Sequence, residues 1–479
     1  MGAARVTATR RGTATLVVAV LAACVAFQLN ASMLSPALVT MARELGTDDA
    51  TVGLSQTMFF TLAAMFSLFL PRLSDIVGRR RTLLVMLAVM LVGSIVAALA
   101  VSVEMLFAGR ILQGVTGPVV PIGLLMLRSE IADPRRYGAA LGLITAVNGG
   151  VAGVDALLGG WLATAHGFRA IFWVIAATTV VALVLVAVWG VDSRPSAGTR
   201  MDWRGVVPLV VSVGALLLAF DEAGGLADAR WALVAVYGLV AVASFVVFWR
   251  LQDRTEQPLI ATADLRRRAT WATLGTTLLT MTGVFAVVNG LVASLAQNTD
   301  AGFGLPADLT ALVLLAPYAL VGWVVGPFAG RIAPVLGYRT VLRIGLAGSV
   351  AATLFMAFAG VRSFPMLVVA TLLLGVTYAG IANIVLNGLG VVLSPAGNPG
   401  MLPGLNAGAF NLGAGISFVI LPAVQVAVGG VDQAGTAGYS AGMLVGAVCT
   451  ACALAMSLLI PRPAAAETAD DRTAPAVSR

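Results

Sequence analysis

The sequence is divided into fourteen apolar segments, each close to the length of ~20 residues that an α-helix needs to cross a bilayer. A chain in lipid must satisfy its backbone hydrogen bonds internally, which such segments do as helices. We therefore predict an all-α polytopic membrane protein with fourteen spans. They cover about residues 15–38, 53–70, 82–101, 105–127, 138–165, 169–190, 205–221, 230–249, 270–296, 308–329, 340–360, 364–388, 402–428 and 437–460.

Charge is scarce in this chain. Only 11% of its 479 residues are charged and 59% are hydrophobic, whereas a soluble domain carries about 25% charged residues. A water-soluble globule of this size needs more polar surface than the sequence offers. The composition excludes a soluble enzyme, a secreted domain and a disordered protein, and it favours a protein embedded in a lipid bilayer.

The arginines indicate an orientation. All 29 basic residues are arginine, and a cytoplasmic N-terminus places 24 of them on the cytoplasmic side. Four fall on the other side (Arg43, Arg169, Arg230 and Arg362), and Arg110 falls inside a span. This asymmetry follows the positive-inside rule. It predicts that both termini are cytoplasmic, and the scatter of the basic residues argues against a nucleic-acid partner.

Two short sequences recur at nearly one offset. Residues 71–80 resemble residues 330–339, with Gly78 and Gly337 separated by 259 positions, and residues 112–116 resemble 373–377 at an offset of 261. Spans 7 and 8 belong to neither copy. The predicted organisation is a cytoplasmic N-terminus (1–14), a six-helix half (15–190), a linker with two additional membrane helices (191–268), a second six-helix half (269–460) and a disordered tail (461–479). Transporters built from such repeats hold substrate between the halves.

Few residues suit a metal or a nucleotide. The chain has one histidine and three cysteines, and Cys449 and Cys452 lie in an apolar run where packing is their expected role. Without lysine no phosphate-binding loop of the Gly-x-x-x-x-Gly-Lys type can form. We expect no cofactor, no metal and no enzymatic activity, and an ion gradient as the driving force.

At this point the residues resemble the major facilitator superfamily, and specifically its fourteen-helix drug:proton antiporters. The resemblance extends over about residues 15–460. It rests on the loop after span 2 (Asp75, Gly78, Arg79, Arg80), on span 4 (Arg110, Gln113, Gly114), on residues 201–205 and on Pro258-Leu259. It implies two six-helix bundles plus two helices, in the inner membrane of a bacterium, and transport of a small molecule by alternating access.

Two positions depart from that family's pattern. The usual aspartate of span 1 is Asn30, and the span 5 signature Gly-Pro-x-x-Gly-Gly is replaced by residues 155–160, which begin with Asp155. An acid is therefore missing from span 1 and present in span 5, which leaves the coupling ion and the transport direction open.

Arg110 and Asp155 are the ionisable residues predicted inside spans. Each costs about 2.5–3.5 kcal/mol at a helix centre on insertion scales, and their heights along spans 4 and 5 differ by about 9 Å at 1.5 Å per residue. A long arginine side chain, a water molecule or Gln113 would bridge that difference. We predict that the pair couples transport to protons; the alternative is a static ion pair that holds the two helices together.

The loop after span 2 is the predicted cytoplasmic gate. The family resemblance assigns Asp75, Gly78, Arg79 and Arg80 to contacts that break when the halves rock. Anchoring of the arginines at the cytoplasmic surface is the alternative.

Uncharged polar residues mark the spans that line the cavity in this family. Interhelical hydrogen bonding is the alternative role for each of them, and Phe59 and Phe60 would add an apolar wall or simple packing. The candidates for substrate contact are Gln28, Asn30, Gln56, Gln113, Asn148, Asn289, Tyr318, Trp323, Tyr378, Asn383, Asn387, Asn406 and Asn411.

The leading functional hypothesis is proton-coupled efflux of small apolar or amphipathic, antibiotic-like compounds by a monomer. The second is proton-coupled uptake of an organic solute, which the missing Gly-Pro of span 5 favours. A membrane sensor or a lipid flippase is a third class, and the short tail after Pro461 argues against a sensor.

Overall fold

The computed structural model describes residues 10–131, 133–192, 200–224, 229–395, 401–429 and 435–462. All regular secondary structure in these ranges is helical. Fourteen long helices coincide with the predicted apolar segments. They are α1 (Arg10–Ser32), α2 (Asp49–Val77), α3 (Arg79–Ala98), α4 (Val103–Glu130), α5 (Pro134–His166), α6 (Phe168–Trp189), α7 (Trp203–Gly224), α8 (Trp231–Arg254), α9 (Arg268–Gln297), α10 (Ala307–Leu336), α11 (Tyr338–Gly360), α12 (Phe364–Val392), α13 (Met401–Gly429) and α14 (Ala437–Ser457).

Thirteen helices of the described residues are long and apolar enough to cross a membrane. The predicted fifth span corresponds to α5, a helix of 33 residues that is not one of the thirteen. The all-helical membrane architecture is confirmed, and the count of fourteen spans stays a prediction. The uncharged connection after span 12 and the predicted N-terminal and C-terminal tails lie largely outside the described residues.

The helices pack as two groups with a lateral pair. In the N-terminal group (α1–α6), α1 packs on α5 and α6, and α3 packs on α4 and α6. In the C-terminal group (α9–α14), α9 packs on α13 and α14, and α10 packs on α12. The groups meet where α2 crosses α13 and where α5 crosses α10. Helices α7 and α8 pack chiefly on each other, with α7 also touching α2 and α13.

The first recurring sequence, at residues 71–80 and 330–339, adopts the same backbone conformation at both places. Gly78 separates α2 from α3 with φ +111° and ψ +130°, and Gly337 separates α10 from α11 with φ +89° and ψ +126°. An L side chain is strained at such a positive φ, whereas glycine is not. The recurring glycine therefore makes the same sharp reversal after the second helix of each group.

The second recurring sequence, at residues 112–116 and 373–377, allows two helices to cross closely at both places. Gly114 begins a 3₁₀ turn inside α4, and Gly375 begins a π-helical turn inside α12. A Cβ atom at Gly114 would lie 2.8 Å from the carbonyl oxygen of Phe59 in α2, and one at Gly375 would lie 2.6 Å from that of Tyr318 in α10. Small residues permit such backbone approach between membrane helices.

The first span is a broken helix. It was expected to end near residue 38, but the helical path runs on to Leu45 after a break at Met33 and Leu34 and a 3₁₀ turn at Ser35–Ala37. Pro36, near the start of that turn, has no N–H to continue the α-helix. The break lies more than a turn inside the span and faces the C-terminal group.

The two groups are joined around this break. We call the end of the bundle where α5 gives way to α6 the Arg169 face, and the opposite end, where α2 gives way to α3, the Arg79 face. Ser35 Oγ donates to Asn289 Oδ1 over 3.1 Å, and Gln297 Nε2 donates to the carbonyl oxygen of Pro36 over 2.9 Å. These contacts close the gap between α1 and α9 on the side of the Arg169 face.

Helices α5 and α10 close the same side. Thr164 Oγ1 and Asp308 Oδ1 are 3.3 Å apart, and a Cβ atom at Gly160 would lie 2.6 Å from the carbonyl oxygen of Ala307. The two backbones therefore touch, and only glycine at position 160 permits it.

Candidate transport site

Arg110 is enclosed in the N-terminal group. Its side chain is 0% exposed. One terminal nitrogen donates to Asn30 Oδ1 over 2.5 Å and to Gln113 Oε1 over 2.8 Å, and the other donates to Gln56 Oε1. The guanidinium carbon lies 4.3 Å from the centre of the Phe59 ring. Three amide oxygens and one aromatic face thus surround the cation, and no carboxylate of the described residues lies within ion-pair distance.

Asp155 is held separately by the broken end of α1. The residue is 1% exposed, and Ser32 Oγ donates to its Oδ2 over 2.5 Å. Gln28 Nε2 donates to Ser32 Oγ over 2.9 Å, while Ser32 Oγ also lies 3.0 Å from the carbonyl oxygen of Gln28. The second oxygen, Asp155 Oδ1, is buried and has no hydrogen-bond partner among the described residues.

The predicted contact between Arg110 and Asp155 does not form. Among the described residues no arginine or histidine nitrogen lies within 4 Å of the Asp155 carboxylate. Helix α1 separates the two charges, because Asn30 contacts Arg110 while Ser32, two residues later, contacts Asp155. Gln113 does not bridge them either, since its Nε2 donates to Ser94 Oγ over 2.9 Å. The positions of Arg110 along α4 and of Asp155 along α5 can be read from the sequence, but they do not tell which helix lies between the two residues.

The predicted gate residues contact three different helices. Arg79 pairs with Asp75 at 2.8 Å and donates to the carbonyl oxygen of Leu125 in α4 over 2.8 Å. Arg80 pairs with Asp192 at 3.0 Å instead, and also donates to the carbonyl oxygen of Ala187 in α6. Asp75 does not cap α3, whose first residue follows Gly78 directly. The loop thus ties α2 and α3 to α4 and α6, and its gating role stays a prediction.

Two predicted asparagines lie where the groups meet. Asn289 belongs to a π-helical segment of α9, Val287–Val292, and receives the hydrogen bond of Ser35. Asn411 Nδ2 donates to Ser67 Oγ of α2 over 3.4 Å. Spans 1 and 9, which correspond in the predicted repeat, both depart from the α-helix at their point of contact. Such departures are frequent at functional sites.

The other predicted contact residues lie within the C-terminal group or at its surface. Asn406 accepts from Thr277 over 2.6 Å, Tyr378 contacts the sulfur of Met281 at 2.9 Å, and Asn387 donates to Asn383. The structure does not bring these residues together with Arg110 or Asp155. Tyr318 is partly buried, Trp323 is 45% exposed, and the side chain of Asn148 lies outside the described part of the chain.

Comparison with known proteins decides the family. The profile described as Major Facilitator Superfamily matches residues 20–418. The chain belongs to the major facilitator superfamily. This confirms the resemblance drawn from the span 2 and span 4 motifs.

The relatives carry names that refer to different substrates. The uridine/deoxyuridine transporter of Lactococcus lactis subsp. cremoris (strain MG1363) is 48% identical over 415 residues, which cover 85% of this chain and 86% of that protein. The multidrug resistance protein Stp of Mycobacterium tuberculosis (strain ATCC 25618 / H37Rv) is 26% identical over 367 residues, 76% of this chain and 67% of that protein.

Solved structures agree on the fold. A POT family transporter in complex with 5-aminolevulinic acid matches with a TM-score of 0.69 at 16% identity, over 94% of this chain and 97% of that one. The human organic anion transporter MFSD10 (TETRAN) matches with a TM-score of 0.61 at 18% identity, over 94% of this chain and 99% of that one. At these identities the likeness concerns the fold alone.

The leading hypothesis of drug efflux is wrong. The relative that is 48% identical is named for uridine and deoxyuridine, whereas the relative named for multidrug resistance is only 26% identical. The efflux hypothesis relied on loop and span 4 motifs, which are shared across the superfamily, and a shared fold does not set the substrate. The alternative of solute uptake fits the comparison better.

Sequence reasoning missed two parts of the site. Ser32 was one small polar residue in an apolar run, and only the packing of α5 on α1 shows that it holds Asp155. No sequence pattern marked Phe285, Phe410 and Phe418 as part of the site, because aromatic residues are common in membrane helices. Phe285 and Phe418 contact Phe60 where the two groups meet, and Phe410 contacts Phe285.

Proposed function

We propose that the protein is a secondary active transporter that takes up uridine and related pyrimidine nucleosides together with protons. The observation that carries this proposal is the 48% identity to a uridine/deoxyuridine transporter over 85% of the chain. That match is long enough to include helices of both groups, so it is not limited to motifs that the whole superfamily shares.

The polar residues suit an uncharged substrate. A pyrimidine nucleoside offers carbonyl oxygens, ring nitrogens and ribose hydroxyls, and side-chain amides can pair with both donors and acceptors. Gln28 of α1 and Asn289 of α9 are partly exposed amides, one in each group. Asn30, in place of an acid, removes the negative charge that would favour a cationic substrate.

Asp155 is the proposed proton carrier. An ionisable residue inside a membrane span is a functional candidate by default, and this carboxylate has neither a cationic partner nor a hydrogen bond on Oδ1 among the described residues. Its partner Ser32 can donate to the carboxylate or accept from the carboxylic acid, since a hydroxyl does both. Either protonation state of Asp155 therefore keeps a hydrogen bond to α1.

The proposed cycle is alternating access across fourteen spans with both termini in the cytoplasm of a bacterium. The arginine asymmetry supports a cytoplasmic Arg79 face. In this orientation the contacts on the side of the Arg169 face close the path to the exterior. Outward opening would break the bonds of Ser35 to Asn289 and of Gln297 to Pro36. The two repeat halves and the gating roles of Asp75, Gly78, Arg79 and Arg80 belong to the same proposal.

The test is uptake of radiolabelled uridine by a bacterial host that lacks its own nucleoside uptake systems. Cells that make the protein should accumulate uridine above the external concentration, and a protonophore should abolish the accumulation. A host with empty vector is the control. Protein that is present in the membrane but gives no uridine uptake above this control would refute the proposal.

A further inference from the structure

Four phenylalanine rings form one cluster across the two helix groups. We call Phe60 of α2, Phe285 of α9, and Phe410 and Phe418 of α13 the Phe285 cluster. The Phe285 ring lies 5.1 Å from Phe60, 5.9 Å from Phe410 and 6.0 Å from Phe418 between ring centres, each edge to face. Phe60 and Phe418 are stacked at 6.4 Å with an interplanar angle of 10°. Phe285 is thus the ring that touches all the others.

The four rings differ in exposure. Phe60 and Phe418 are buried, at 0% and 2% exposure, while Phe285 and Phe410 are only partly buried. Packing between the groups accounts for the two buried rings, since aromatic pairs prefer such geometries. It does not account for the exposed surface of Phe285, which contacts Phe60 of the N-terminal group and Phe410 and Phe418 of its own group, or for that of Phe410, which contacts Phe285. Because Phe285 lies between the groups, its exposed surface would face the gap between them.

The polar side chain of Asn289 lies one helical turn from the partly exposed ring of Phe285. Asn289 follows Phe285 by four residues, so the two side chains lie on the same face of α9. Asn289 Oδ1 accepts from Ser35 Oγ, and Nδ2 donates one hydrogen to the carbonyl oxygen of Phe285 over 3.0 Å. The second hydrogen of Nδ2 has no partner among the described residues. An aromatic face and an amide donor therefore stand side by side in the gap.

We propose that Phe285, with Phe410, is the surface on which the pyrimidine ring of the substrate stacks, and that Asn289 Nδ2 donates to a carbonyl oxygen of that ring. This inference rests on the proposed nucleoside uptake and assigns the recognition of the base. Aromatic side chains bind nucleobases through the π-face that each base offers. The buried rings of Phe60 and Phe418 contact Phe285 and fix its position.

The test compares uridine with 5,6-dihydrouridine. The reduced base keeps both carbonyl oxygens and the ring N–H but has lost its planar π-system, so the pair isolates stacking from hydrogen bonding. We expect the wild-type protein to prefer uridine by about tenfold in KM, the order that one base stacked on an aromatic ring supplies. Phe285→Leu should raise the KM for uridine by about tenfold and change that for dihydrouridine by about twofold at most.

Two further variants complete the experiment. Phe410→Leu should reduce the preference in the same direction, and it keeps the proposal testable if Phe285→Leu does not reach the membrane. Phe245→Leu is the matched control, since Phe245 is 44% exposed on the lateral helix α8, in contact with Phe248 and Trp249. It should leave both KM values unchanged.

The outcomes separate this inference from the proposed function. Uridine uptake with equal KM values for the two nucleosides, or a preference that survives both Phe285→Leu and Phe410→Leu, would overturn the stacking role and leave nucleoside uptake intact. A wild-type protein that carries neither nucleoside would overturn both.

Discussion

Ser32 donates its hydroxyl hydrogen to the Asp155 carboxylate over 2.5 Å and so joins the broken end of α1 to the middle of α5. Three residues further along, Ser35 contacts Asn289 of the C-terminal group. The proposed proton site and the contact that closes the Arg169 face are therefore neighbours on one short segment of chain.

Asp155→Asn should separate transport from its driving force. The amide is similar in size to the carboxylic acid and can still hydrogen-bond to Ser32, but it cannot release a proton. We expect concentrative uridine uptake to be lost, while exchange of labelled for unlabelled uridine across proteoliposomes persists. Asp253→Asn is the matched control, because Asp253 is exposed on the lateral helix α8 and pairs with Arg266, away from the proposed gate and proton site. Wild-type accumulation by Asp155→Asn would contradict the proton-carrier role.

Ser32→Ala should slow driven uptake, whereas Ser32→Thr should not. Alanine removes the hydroxyl that contacts Asp155, and a hydrogen bond to a charged group contributes about 1.5–3 kcal/mol, equivalent to a tenfold or larger loss of rate. Threonine keeps the hydroxyl. Initial rates of proton-driven uptake and of exchange should be measured for both variants. Equal driven rates for Ser32→Ala and wild type would show that the hydroxyl is dispensable.

Replacement of Arg110 should affect stability before transport. Arg110→Met would leave the side-chain oxygens of Asn30, Gln56 and Gln113 buried without their donor, and each buried polar group left unsatisfied costs about 1–3 kcal/mol. Arg110→Lys keeps the charge but offers fewer donors in a different geometry, so it should be intermediate. The order of stability of wild type, Arg110→Lys and Arg110→Met is measured by thermal unfolding in detergent, followed by size-exclusion chromatography. An unchanged melting temperature for Arg110→Met would contradict it.

Gly160→Val should prevent closure of the Arg169 face. Its side chain would collide with the carbonyl oxygen of Ala307, and overpacking of this kind costs about 1–3 kcal/mol. We expect uptake to fall by about tenfold and labelling of a cysteine placed at Ser35 to increase from the exterior. Gly238→Val in α8 is the control, because a Cβ atom there meets nothing within 4 Å. Similar uptake and labelling for the two variants would show that this crossing does not close the path.

The sequence predicted the helices well and the site poorly, for different physical reasons. Each span must be long and apolar by itself, so local hydropathy locates it. The end of the first span was misplaced because Arg43 and Glu44 lie within its last helical turn, where long side chains reach the membrane surface. The separate surroundings of Arg110 and Asp155 depend on which helix lies between them, and no local pattern encodes that. Gly78 and Gly337 were found because one local conformation at each position requires glycine.

The direction of transport could not be obtained from motifs either. Asp75, Arg79 and Arg80 hold helices together at the Arg79 face, a task that importers and exporters share. The side chains of Gln28, Phe285 and Asn289 are partly exposed, but each of these residue types is common in a membrane helix. The 48% identity over 85% of the chain to a protein named for uridine and deoxyuridine was needed to favour uptake.

The enclosure of Arg110 by amide oxygens has an electrical consequence. With no carboxylate from the described part of the chain beside it, the arginine is a fixed positive charge within the N-terminal group, and a negative Asp155 on the other side of α1 balances it at a distance. In the proposed cycle, protonation of Asp155 leaves that charge unbalanced, so the substrate-loaded carrier is the form on which the membrane potential acts. One elementary charge moved through 100 mV corresponds to about 2.3 kcal/mol. Voltage would then accelerate the loaded reorientation, and the empty carrier would return with little dependence on it.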